Sequence, residues 1–262
     1  NELEFAPERV LNHMMQHILN NDADIDYIFP LDADEFIYCP SREKLNTFLT
    51  LIPQNRVGMY TWRGYLPHST EYDPDFISHF TDQRKEEILT PKVIIPRAIA
   101  ETCTLTIGSH SVRDKEGKEV QSIVFIGSNS QPFYYWFINR FNAEFIETDD
   151  LWLGHYPIRS TIQQIKKVLE KSITMVMEKK GYRDSAWENQ LRDLLAHNLD
   201  ISLDELRLIA YNYRASDEKK IQIACQQPLR SMKLALKYQD LINNDPLPIL
   251  AKLILELAEK LR

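Results

Sequence analysis

The sequence predicts an α/β fold in two parts, an α/β core over residues 1–160 followed by an all-helical C-terminal extension over 161–262. The apolar run Tyr27–Leu31 shows no alternation, as expected of a strand buried on both faces of a parallel sheet. Further strand-like runs, at Val57–Trp62, Lys92–Arg97, Thr104–Ile107, Val120–Ile126 and Phe133–Phe141, make the middle of the chain β-rich. After Tyr156-Pro157 the apolar period changes to that of a helix and keeps it.

The elements follow in order. Pro7–Leu19 sets Val10, Leu11, Met14, Ile18 and Leu19 at helical spacing, with Pro7 in the first turn and Asn20-Asn21 as a stop. A parallel strand at Tyr27–Leu31 needs a neighbour, and none precedes it. Its partner strands are then either downstream or missing from the start of the chain, and the core is expected to lack its first strand and helix. Ser41–Ile52 repeats the helical pattern through Leu45, Phe48, Leu49 and Ile52. Arg63–Thr90 has few apolar runs and contains Pro67, His68, Pro74 and His79, so it reads as a long loop beside a site. Ser160 with Gln163 forms a capping box ahead of the stripe Ile162, Ile165, Leu169, Ile173 and Val176, and Ser202 with Glu205 forms a second box. Pro248–Arg262 gathers Ile249, Leu250, Leu253, Ile254, Leu257 and Leu261 on one face, expected to pack on protein or to join copies of the chain into a homo-oligomer.

Composition excludes several classes of function. The 31 Lys+Arg residues are outnumbered by 38 Asp+Glu and are scattered, which argues against nucleic acid as a ligand. The seven glycines stand singly, so there is no dinucleotide fingerprint, no P-loop and no nucleophile elbow. Cys39, Cys103 and Cys225 are far apart, odd in number and without C-x-x-C spacing, so they read as reduced thiols. No stretch is apolar enough for a membrane span, and Asn1–Phe5 lacks the pattern of a signal peptide. A cytoplasmic setting is expected, with the membrane reached only through partners.

Asp32-Ala33-Asp34-Glu35-Phe36 stands at the carboxyl end of the Tyr27–Leu31 run, where open α/β sheets place ligands. In extended backbone, residues two apart point the same way, so Asp32 and Asp34 would present their carboxylates together. Two hard oxygen donors suit Mn²⁺ or Mg²⁺, although such pairs also occur in ordinary strand-end turns. A phosphohydrolase motif would continue with Gly, and a calcium loop would need a Gly and a terminal Glu. Glu35-Phe36 follow instead, which leaves the D-x-D of nucleotide-sugar glycosyltransferases.

The segments DYIFPLDADEFI (Asp26–Ile37), MYTWRGY (Met59–Tyr65), KVIIPR (Lys92–Arg97), TIGSHSV around His110, and LGHYPIRSTIQQIKKV (Leu153–Val168) occur in a telling order. Over residues 7–170 the chain resembles glycosyltransferase family 2-like proteins of the D-x-D-E-F type. The resemblance implies a GT-A-like (Rossmann-like) mixed sheet, a nucleotide-diphosphate sugar donor, a glycan or lipid-linked saccharide acceptor, and Mn²⁺ or Mg²⁺. Inversion at the transferred carbon is the family expectation. The front end departs from the pattern, because such enzymes normally start with a strand and an Asn-Glu turn that help hold the nucleotide base, and no strand-like run precedes the first helix here.

On this reading Asp34 binds the metal directly, Asp32 bonds metal-bound water or the ribose, and His155 completes the shell. Arg159, Ser160 and the first amides of the following helix meet the diphosphate. His155, in a Gly-His-Tyr-Pro turn, has a second reading as a histidine bonded to backbone, and His110 either faces the site from a strand end or is an ordinary loop histidine. His13 and His17 are one helical turn apart without a third ligand and read as surface or packing residues. Trp62 and Tyr65 either stack on a sugar or belong to the core. Inverting transfer needs a carboxylate base, for which Asp73, Asp75, Glu86, Glu87, Asp149 and Asp150 are candidates. The rival function is a non-catalytic carbohydrate-binding or scaffolding protein on a degenerate GT-A fold.

Overall fold

The computed structural model describes residues 7–84, 88–106, 109–127, 143–177, 190–192, 194, 196, 199–211 and 223–225. Two compact units divide the chain, one of residues 1–64 with 85–156 and the other of residues 65–84 with 157–262. The first half runs α1 (Pro7–Asn21), β1 (Tyr27–Ile28), β2 (Glu35–Tyr38), α2 (Arg42–Thr50), β3 (Val57–Gly64), α3 (Phe76–His79), β4 (Asp82–Arg84) and β5 (Ile88–Pro96). It continues with α4 (Arg97–Ala100), β6 (Thr104–Thr106), β7 (Ser111–Arg113), β8 (Ser122–Ile126), β9 (Glu144–Glu147) and β10 (Trp152–His155). Helices Thr161–Met177 and Leu203–Tyr211 and the strand β11 (Ile223–Cys225) complete the described elements.

The first unit is a mixed α/β layer built around β3, whose eight residues are all buried. One edge of β3 pairs antiparallel with β5, which in turn carries β1. The other edge is shared: Val57–Tyr60 pairs parallel with β8, and Trp62–Gly64 pairs parallel with β10. β9 extends the sheet parallel to β8, and β2 pairs antiparallel with β10. Alternation along β3 then sorts its side chains between two cores. Val57 and Met59 join Met15 and Leu19 of α1, while Tyr60 and Trp62 join Phe48 of α2. One helix thus covers each face.

Local chemistry fixes the helices. Ser41 caps α2, its hydroxyl accepting from the Lys44 N–H at 3.1 Å. Leu11, Met15 and Leu19 are the residues of α1 that meet the core, whereas Val10, Met14 and Ile18 are exposed. Asn12 docks α1 as a strand neighbour would, donating to the Leu105 carbonyl and accepting from its N–H.

In the second unit β4 pairs antiparallel with β11, and Leu66, Ile158, Val168 and Leu206 share a core. The box at Ser202 and Glu205 forms in full. At Ser160 the hydroxyl accepts from the Gln163 N–H, but the Gln163 side-chain Oε1 accepts from the Arg159 N–H rather than from that of Ser160.

Several expectations are corrected. Tyr27–Leu31 is not a doubly buried parallel strand: β1 is two residues long, half-buried and antiparallel to β5, and Pro30 lacks the N–H that a longer ladder would need. Arg63–Thr90 is not one long loop, since it holds the end of β3, α3, β4 and the start of β5, and Tyr65, Leu66, Phe76, Ile77 and Phe80 are buried. The C-terminal part is not all-helical, because β11 lies within it. The runs at Phe133–Phe141 and Pro248–Arg262 and the carboxylates Glu86 and Glu87 lie outside the described residues. Among the described residues no helix is long and apolar enough to cross a membrane.

Gly154 lies where β10 meets the aromatic side chains of β2. A Cβ there would overlap the Tyr38 ring, which stacks on Trp152 at 5.4 Å and hydrogen-bonds the Tyr156 hydroxyl. Gly154→Ala is expected to cost about 1–3 kcal/mol, the range for overpacking a filled site. Urea unfolding with an unchanged midpoint would overturn this.

Candidate functional site

β3 and β10 run parallel, so their carboxyl ends lie together, with His155 in register with Gly64. β2 runs back along β10 and sets Glu35 opposite His155. The motif Asp32–Glu35 therefore arrives beside His155 at the carboxyl edge of two parallel strands. This is the kind of place where α/β sheets bind ligands.

The motif is a closed turn and not extended backbone. The Glu35 N–H donates to the Asp32 carbonyl at 3.1 Å, and the Asp32 N–H donates to Glu35 Oε2 at 2.9 Å. The expectation that Asp32 and Asp34 point the same way from a strand fails for this reason. The two carboxylates take different partners. Asp32 Oδ2 accepts from Lys92 Nζ at 2.8 Å. Asp34 Oδ2 stands 3.7 Å from His155 Nε2, and the Tyr156 N–H holds the Asp34 carbonyl.

Lys92 organises this edge. It projects from β5 with no exposed surface and reaches Asp32, Glu35 Oε2 at 3.3 Å and the Ser109 hydroxyl at 2.7 Å. Ser109 has φ 79, a left-handed conformation that non-glycine residues adopt only when their surroundings impose it. Glu35 is as buried as Lys92, and its Oε1 has no hydrogen-bond partner. Burial pushes the Glu35 carboxyl up to about 7, an effect that Lys92 only partly offsets.

His155 is on β10 and not in a turn, and its ring is buried. It stacks on Trp62, with ring centroids 4.2 Å apart and planes inclined by 19°. Trp62, 2% exposed, is therefore core and not a sugar platform. His110 meets the same indole edge-on, and its Nδ1 lies 2.8 Å from the Pro91 carbonyl. A carbonyl only accepts, so Nδ1 carries a proton and Nε2 is the basic nitrogen of the neutral ring.

The first unit thus brings Asp32, Asp34, Trp62, His110 and His155 to one edge and adds Lys92, Glu35 and Ser109. Sequence reasoning missed these three. The signal was available for Lys92, a lone cation heading the apolar run Val93-Ile94-Ile95. Asp149 pairs with Arg63 at 2.8 Å, and Asp150 pairs with Lys44 at 3.3 Å. His13 and His17 are exposed. Tyr65, Asp73, Asp75, Arg159 and Ser160 belong to the second unit. There Tyr65 is buried, and Ser160 is 1% exposed with its hydroxyl engaged as a helix cap.

Lys92→Met would leave the buried Glu35 carboxylate without its cation. It is expected to cost about 3–5 kcal/mol where Glu35 is ionised and less where it is protonated. Glu35 itself carries a pH signature. Its folded pKa of about 7 lies above the usual 4.5, so its contribution to stability is fully present below pH 4.5 and is lost as pH rises through 7. Relative to Glu35→Gln, the parent should lose about 3 kcal/mol across that window in urea titrations. A difference that stays flat with pH would overturn the assignment.

Comparison of the chain with protein-family models, with curated proteins and with solved structures found no match.

Proposed function

We propose that the chain is a metal-dependent glycosyltransferase with a GT-A-like core and a C-terminal helical extension, moving a sugar from a nucleotide-diphosphate donor to a glycan or lipid-linked saccharide acceptor with inversion. The observation that carries this reading is the Asp34–His155 pair, a carboxylate and an imidazole facing each other at 3.7 Å where parallel strands end. Donors bound at about 2.1 Å to one octahedral ion lie about 3.0 Å apart when adjacent and about 4.2 Å apart when opposite. The observed spacing falls between, and one oxygen with one imidazole nitrogen suits Mn²⁺ better than Mg²⁺.

On this proposal Asp34 and His155 hold the ion, which when bound would neutralise the diphosphate leaving group. Asp32 is then a residue of the donor side, positioned by Lys92 and not by the metal. Trp62 serves by packing flat on the imidazole, which fixes the ring plane and so the direction of Nε2. Arg159 and the start of helix Thr161–Met177, the expected diphosphate contacts, belong to the second unit. The Arg159 guanidinium lies over the Phe76 ring at 5.2 Å.

A specific observation also favours the rival reading, a non-catalytic carbohydrate-binding protein. Lys92 already supplies a positive charge beside Asp32 and Glu35, as a protein that had dispensed with the ion would require.

Nucleoside diphosphates with Mn²⁺ should raise the unfolding temperature of the parent and leave Asp34→Asn unmoved, since only the parent binds the ion in the folded state. His155→Ala should weaken the Mn²⁺-dependent affinity by about 10- to 100-fold. Asp34→Asn that responds like the parent, or a parent that responds to no nucleotide, would hand the argument to the non-catalytic reading.

A further inference from the structure

His68, Asp73 and His79 converge in the second unit. Among the described residues they form the one group of three His, Cys, Asp or Glu side chains whose ligand atoms all lie within 4.8 Å of one another. Asp73 Oδ2 is the hub, 2.7 Å from His79 Nδ1 and 3.5 Å from His68 Nε2. We propose that these three side chains bind a divalent transition ion of the zinc class.

The carboxylate is oriented for the purpose. Asp73 Oδ1 accepts from the Asp75 N–H at 2.9 Å, which turns Oδ2 toward both imidazoles. Asp75 in turn accepts from the Ser78 hydroxyl in the first turn of α3, and His79 is the last residue of that helix. The His68 ring meets Phe80 edge-on at 5.3 Å and His79 at 5.7 Å. Backbone on either side of His68 is tied down, with Arg207 donating to the Pro67 carbonyl and the Thr161 N–H donating to the Thr70 carbonyl. The three residues therefore occupy a short held segment and not a free loop.

The donor set selects the ion. Two imidazoles and one carboxylate suit Zn²⁺ and its neighbours in the transition series, whereas Mg²⁺ and Ca²⁺ favour oxygen. Around a tetrahedral ion with bonds of about 2.0 Å, neighbouring donors sit about 3.3 Å apart. The His68–Asp73 spacing of 3.5 Å is already close to this. His79 must swing out by a fraction of an ångström, as it would when an ion replaces the proton it shares with Asp73. Side-chain exposures of 41% for His68 and 55% for His79 leave the remaining position to water or an external ligand. This centre is separate from the Asp34–His155 pair and does not depend on the function proposed for it.

Isothermal titration of the full chain with ZnCl₂, paired with the visible absorption of the Co²⁺-loaded protein, tests the proposal. The parent should take up zinc at micromolar concentration and show the intense bands of low-symmetry cobalt. His68→Ala, Asp73→Asn and His79→Ala should each weaken zinc binding at least about tenfold, with His17→Ala, an exposed histidine outside both sites, leaving this zinc affinity unchanged. The ligands are at the surface, and far-ultraviolet circular dichroism would register any variant that fails to fold. The parent spectrum provides a test that needs no variant. A parent that ignores zinc, or folded His68→Ala and His79→Ala variants that bind it like the parent, would overturn the site and leave an ordinary hydrogen-bonded cluster.

Discussion

An ammonium group with no exposed surface must find its whole solvation within the protein, and Lys92 does so with Asp32, Glu35 and Ser109. Removing a cation from water costs several kcal/mol unless such partners are held in place. The partners come from two stretches of chain, the Asp32–Glu35 turn and Ser109, so the requirement of one side chain shapes both. It closes the Asp32–Glu35 turn against β5 and holds Ser109 in a left-handed conformation that it would otherwise avoid. The turn then delivers Glu35 as the first residue of β2, and the pairing of β2 with β10 follows.

The sheet supplies the second constraint. β3 is longer than either of the strands that share its second edge, so β8 takes its first half and β10 its last residues. Because β10 is parallel to β3, its terminal residue, His155, ends beside the terminal residues of β3. Trp62, in register with Leu153, offers its indole face to that imidazole. Position, burial and ring plane of His155 are thus consequences of strand pairing, and the short spacing to Asp34 comes from two elements meeting end to end.

Where local rules act alone, the sequence could be read well. α1 and α2, the central strand β3 and the capping box at Ser202 lie close to where periodicity and capping chemistry put them. Even so, the buried line of α1 is Leu11, Met15 and Leu19, and Val10, Met14 and Ile18 on the neighbouring line are exposed, since two apolar lines are present and only packing chooses between them. β2, β9 and β10 escaped notice because four-residue strands carry too few alternations to register a period, and Glu35 opens β2 with a charge. The expectation that the D-x-D motif presents both carboxylates together from extended backbone did not hold. The two carboxylates sit in a turn and take different partners, and no pattern of spacing reveals that a lysine sixty residues away will claim the first of them. Arg63–Thr90 was misjudged because its apolar residues are scattered singly between prolines and charges, yet Phe76, Ile77 and Phe80 still bury themselves on one turn of helix.

The two candidate ion sites differ in what would draw an ion in. Asp34 is mostly buried next to a buried histidine, and the carboxylates around Lys92 leave that edge negative, by one charge or two according to whether Glu35 holds its proton. Solvent screens Asp32, whose side chain is 57% exposed, but the charge on the mostly buried Asp34 is unfavourable by itself, and on the function proposed a dication with its remaining coordination directed at phosphate oxygens would relieve it. His68, Asp73 and His79 are in a different situation: two of the three face water, and only one is an anion. Long-range attraction there is weak because solvent screens it, so affinity has to come from the metal–nitrogen bonds themselves. Charge excess favours any small dication and would serve a hard ion that carries a diphosphate, whereas nitrogen donors discriminate in favour of the softer one. On the two proposals, the units would use opposite means of selecting a metal, which would let one chain hold two different ions without either displacing the other.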